Sequence, residues 1–145
     1  MAPNLFRILL ALVALYAFLV GRRDERHVGV ILVVGVIATH LAWSPVSNRF
    51  AGLETNVMLV DVIVFAGFLW VALRSERFWP LWIAGLQLTT ILGHLMKAAD
   101  AGLFSRAYGA ALMFWGYPIV IILAVGTWRQ HRRVLRGTQA EVFAS

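Results

Sequence analysis

Apolar positions along the chain gather into five long runs, at 5–20, 28–43, 57–73, 78–96 and 107–128, separated by short segments that hold most of the charge. Runs of this length predict helices. Several fall short of the ~20 residues of a full membrane span, but flanking arginines can lay their stems along apolar surface and lengthen a helix at its ends. The first run is followed by "GRRDER" and lacks a small-residue cleavage pattern, so it is expected to be a retained helix and not a signal peptide. Pro80 falls just inside the start of the fourth run, where its missing N–H costs nothing. Pro118 falls inside the fifth and is expected to kink it. Residues 129–145 are expected to form a basic cytoplasmic tail.

Composition turns five helices into a class. The 145 residues are 61% hydrophobic and 14% charged, where an ordinary soluble domain carries about 25% charge. So short a chain cannot hide that excess in a core, and lipid is the natural solvent for it. The expected fold is an all-α integral membrane protein, a bundle of five transmembrane helices. No cysteine occurs, which excludes disulfides, thiol catalysis, iron–sulfur clusters and thiolate metal sites.

The net charge of +6 then orients the bundle. With five spans, nine arginines (22, 23, 26, 74, 77, 129, 132, 133 and 136) fall on one side, against Arg7, Arg49, Lys97 and Arg106 on the other. The positive-inside rule places the N-terminus outside and the C-terminus in the cytoplasm. Trp70, Trp79, Trp82 and Trp128 fall at inner ends and Trp43 at an outer end, as an aromatic belt requires. Anionic lipid headgroups explain the basic rim more simply than nucleic acid does, and no nucleic-acid partner is expected.

Against this background the ionisable groups inside the runs stand out. Arg7, His40, Asp61, His94 and Lys97 all fall in the outer half, while the inner half is apolar with arginines only at its rim. In "LTTILGHLMKAAD" and the residue before it, Gln87, Thr90, His94 and Lys97 share one helical stripe. Charged groups at such depth face the bundle interior or water, and Asp61 is expected to meet Arg7, Lys97 or a histidine. On the same helix Gly85, Thr89 and Gly93 form a ridge suited to close packing. An offset of 54 residues lays His40 on His94, with an R-x-E-R upstream of each at 23–26 and 74–77, which admits an internal duplication.

The segment "RSERFWPLWIAGLQLTTILGHL", residues 74–95, resembles a group of small integral membrane proteins of alphaproteobacteria. The resemblance implies a bacterial inner-membrane location and carries over no activity or ligand.

Three functions follow from these residues. An ion- or proton-handling protein, channel-like or transporter-like, would use His40, Asp61, Gln87, Thr90, His94 and Lys97 as its pathway, and as a homo-oligomer, since five helices leave little room for a private pore. A redox protein would hold a b-type haem between His40 and His94, or a metal with Asp61 as a third ligand. An accessory or scaffold subunit would use the same groups for packing. A soluble-type enzyme is not expected, because no nucleophile-elbow, zinc-protease, phosphate-loop or dinucleotide motif occurs.

Overall fold

Glu25 fixes the start of the second helix: its Oε2 accepts the backbone N–H of Arg22 at 3.0 Å, three residues back, which is half of a capping box. A computed structural model describes residues 2–42, 50–99 and 105–144, with backbone only at 2–3, 50–54, 97 and 105–113. Every element in it is an α-helix: α1 (Ala2–Val20), α2 (Arg23–Ala42), α3 (Phe50–Arg74), α4 (Trp79–Ala99) and α5 (Ser105–Ala144). Trp43 and Arg49 and the side chains of Lys97 and Arg106 lie outside the described residues.

Each helix packs on its neighbours in sequence, and α5 closes the ring by packing on α1 as well as α4. The core is a plate of apolar side chains from all five helices, with Ala17, Val28, Phe68, Ile83 and Leu123 fully buried. Outward, large aliphatic residues are left uncovered. Along α1, Leu5, Ile8, Leu12, Leu15 and Leu19 form an exposed stripe at helical spacing, and Leu59 and Ile63 do the same on α3. Stretches Arg23–Ala42 and Thr55–Arg74 are long and apolar enough to cross a membrane, yet only 22% and 11% of them is buried in the protein. A core helix of a soluble protein would be mostly buried, so these features are consistent with a membrane protein. α4 places the polar Gln87, Thr89, Thr90 and His94 among its apolar residues.

Contacts between α2 and α3 are close because glycines stand at them. A Cβ on Gly35 would lie 2.8 Å from Val64 Cγ2, and one on Gly67 would lie 3.2 Å from Ile31 Cδ1. Valine is stiff at χ1, so its methyl cannot swing away cheaply. Gly35→Ala should therefore destabilise by about 1 kcal/mol, an overpacking cost of ~1–3 kcal/mol outweighing the ~1 kcal/mol gain in helix propensity. A chemical-denaturation midpoint at or above wild type would show that the two helices can part at this point.

One expectation about α5 changes. The helix does not end at residue 128: it runs on through Ala144, so residues 129–144 are helical. Arg, Gln, Leu and Ala dominate this stretch and favour the helix, and no proline follows Trp128 to stop it. At 40 residues α5 is about 60 Å long, roughly twice α2, and its last turns project beyond the bundle with residues 132–144 exposed. Helix also continues through Pro118, whose ring has no N–H to give the carbonyl four residues back.

At the end of the bundle where α2 and α4 begin, charge is stitched across the ring. Arg77 Nη1 donates to Glu25 Oε1 at 2.9 Å, and Arg77 Nη2 donates to Gln130 Oε1. Ser75 Oγ donates to Asp24 Oδ2 at 2.6 Å and accepts the N–H of Arg77. The two R-x-E-R segments thus pair with each other. Around them Arg26, Arg74 and Arg132 lie over the rings of Phe18, Trp70 and Trp128, which gathers basic and aromatic groups at one level.

Candidate functional site

The opposite half of the ring contains a cavity of about 340 Å³ lined by all five helices. The helix directions explain its composition. Arg7 is one turn or so into α1, His40 two residues from the end of α2, Asp61 about 16 Å into α3, and His94 a turn before the end of α4, so all reach the same half.

At the centre of the wall is a pair between α3 and α4. His94 Nε2 lies 2.8 Å from Asp61 Oδ2, and Gln87 Nε2 donates to Asp61 Oδ1 at 3.0 Å. Gln87 and His94 are seven residues, two turns, apart on one face of α4, and Asp61 reaches across to both of them. His94 and Gln87 are buried, and Asp61 keeps 17% of its side chain exposed. One carboxylate oxygen is therefore held by an amide and the other by an imidazole. Such a unit can hold one proton in either of two places, or offer carboxylate and imidazole lone pairs to a small cation.

At the rim the Arg7 guanidinium lies 3.3 Å from His40 Nδ1, and both residues are exposed. Thr90 lines the cavity and donates to Leu86 O within its own helix. Tyr117 lines it from α5, its ring 5.1 Å from Phe6 in an edge-on contact. Leu32 and Ile119 belong both to the cavity wall and to the core plate, so the plate closes the cavity on the side facing the Glu25–Arg77 network.

Of the six residues expected to form a pathway, His40, Asp61, Gln87, Thr90 and His94 line this one cavity, and the side chain of Lys97 lies outside the described residues. Asp61 meets His94; Arg7, another of its expected partners, is drawn to His40. Sequence reasoning missed Thr39, Phe6 and Gly116 as lining residues, and little in their types could have revealed them. It also missed the burial of Glu25, although a glutamate three residues after the cap position is a recognisable signal. For a haem the geometry fits poorly, since the His94 Nε2 that would ligate iron is turned to a carboxylate. Among the described residues no group of three histidines and acids is placed to hold a metal ion. The ridge residue Gly85 has nothing within 4 Å of its Cβ position and Thr89 is exposed, so at these two positions the ridge does not pack against the described residues.

Fold and site together define an all-α five-helix bundle with a polar cavity in one half and an ion-pair network at the other end. In comparisons with family models, curated proteins and solved structures, the chain matches none of them.

Gln87 tests the rigidity of the site. Gln87→Leu keeps the bulk but removes the amide donor from Asp61 Oδ1. Stability should fall by about 0.6–1.7 kcal/mol, the scale of an interhelical side-chain hydrogen bond. A denaturation midpoint equal to wild type would mean that Asp61 needs no second partner.

Proposed function

We propose that the chain is a five-span protein of a bacterial inner membrane, N-terminus outside, that takes up a proton or a small cation at the Asp61–His94 pair in the outer half of its bundle. The observation that carries this reading is the half-buried carboxylate–imidazole contact at 2.8 Å inside a cavity lined by every helix. Ionisable groups are costly within a membrane and mark ion or proton pathways when they face a common space. Imidazole is also the side chain suited to gaining and losing a proton near neutrality.

The apolar plate of Val28, Phe68, Ile83 and Leu123 argues for access from one side at a time, a transporter-like arrangement and not an open pore. Residues from all five helices of one chain line the cavity. A second copy would have the outward-facing ridge at Gly85 and Thr89 available for contact. The scaffold reading remains the alternative, with the same groups serving packing alone.

The test is flux in liposomes reconstituted with the full chain, followed with an entrapped pH- or cation-sensitive dye. Wild type should exceed empty liposomes under an imposed gradient. Identical traces for protein-containing and empty liposomes, with every cation tried, would leave the scaffold reading in place.

A further inference from the structure

A second cavity, about 480 Å³, opens at the other end of the bundle between the turn at Phe78 and one face of α5. Its wall is apolar, formed by Ile121, Ile122 and Val125, and above that wall stand Arg129 and Arg133, one turn apart. Arg77 also reaches the cavity but is committed to Glu25 and Gln130. Arg129 and Arg133 are exposed, and among the described residues neither forms an ion pair with a carboxylate; Glu76 is the one acidic residue of the lining.

Trp79 extends that wall. Its indole lies against α5 because position 126 is glycine, where a Cβ would approach the ring to 3.2 Å. The indole thereby forms part of the apolar lining of the groove, next to Ile122 and Gly126.

Two guanidiniums without a carboxylate partner among the described residues and an apolar wall running toward the middle of the bundle ask for one kind of occupant. It needs a phosphate and a hydrocarbon chain. Free phosphate would satisfy the arginines and leave the wall bare. We infer that this groove binds an anionic phospholipid, its phosphate against Arg129 and Arg133 and an acyl chain along Ile121 and Val125, beside the Trp79 indole that lines the groove. The inference rests on the membrane reading proposed above, and basic pockets between helices at the cytoplasmic face suit such headgroups.

The test places the full chain in bilayers of phosphatidylglycerol and phosphatidylcholine in equal amounts, then counts the lipids retained on the detergent-extracted protein by native mass spectrometry. Phosphatidylglycerol should be retained at least about tenfold over phosphatidylcholine, at about fivefold per arginine. Arg129→Ala/Arg133→Ala should bring the ratio near one. Arg132→Ala/Arg136→Ala removes the same charge from the same helix outside the groove and should leave the ratio unchanged. Equal losses in the two double variants would overturn the site in favour of bulk charge. Displacement of the lipid by millimolar inorganic phosphate would overturn the choice of a lipid. Equal retention of both lipids by embedded wild type sinks the groove alone, whereas a chain that never enters the bilayer sinks the membrane reading and the groove with it.

Discussion

Asp61→Asn is expected to bring flux down to the level of empty liposomes while leaving the bundle folded. Asparagine has nearly the shape of aspartate, and its amide oxygen can still accept from Gln87 Nε2, which now lies 3.0 Å from the carboxylate. What it lacks is the charge and the ability to bind or release a proton against His94. Interhelical hydrogen bonds of this kind contribute ~0.6 kcal/mol on average and up to ~1.7 kcal/mol, so the unfolding midpoint should move little. Flux and stability thereby separate. His40→Ala provides the contrast: it removes a partner of Arg7 at the exposed rim, where water can replace it, and flux should fall only in part. Equal and complete losses at Asp61 and His40 would point to general collapse of the cavity and not to a central pair.

Arg77→Ala should have the largest effect on stability, about 3 kcal/mol or more. Glu25 is fully buried, and without Arg77 its only hydrogen-bond donor among the described contacts is the Arg22 N–H. Removing one member of a buried pair typically costs ~3–5 kcal/mol, because the remaining charge has lost water and partner alike. Arg77 itself is 26% exposed, so some water can reach the gap, which favours the lower end of that range. Gln130 loses its partner in the same substitution. Replacing both partners, as Glu25→Leu/Arg77→Met, should recover much of the loss, since well-packed apolar substitutes remove the stranded charge. Arg129→Ala, an exposed neighbour, should stay within ~0.5 kcal/mol of wild type. A denaturation series in which Arg77→Ala behaves like Arg129→Ala would show that the pair adds nothing to the fold.

Much of this was legible in the residues. Apolar runs located all five helices, with starts and ends a few residues off wherever polar caps extend them. The greatest miss, the end of α5, came from reading hydropathy as helix: the run stops at Trp128 because charge begins there, but arginine, glutamine and leucine continue the helix into solvent. The polar cavity was legible because Asp61, Gln87 and His94 are conspicuous among aliphatic neighbours. Which of them touch was not. That depends on the rotation of α3 and α4 about their axes; close approaches such as Gly35 to Val64 and Gly67 to Ile31 set that of α3 against α2. Composition in "RRDER" suggests charges at a rim, so the burial of Glu25 was hidden. It arises because the cap to Arg22 holds Glu25 in the first turn, within reach of Arg77 and thus of Gln130 beyond it.

Initial flux rates for wild type, Asp61→Asn, His94→Ala and the double variant, in liposomes matched for protein content, address the proposed site most directly. A shared proton or cation site predicts that each single variant falls to background and that the double variant is no worse than either, because the two side chains act as one unit. Wild-type flux persisting in either single variant would contradict it and return the pair to a purely structural role.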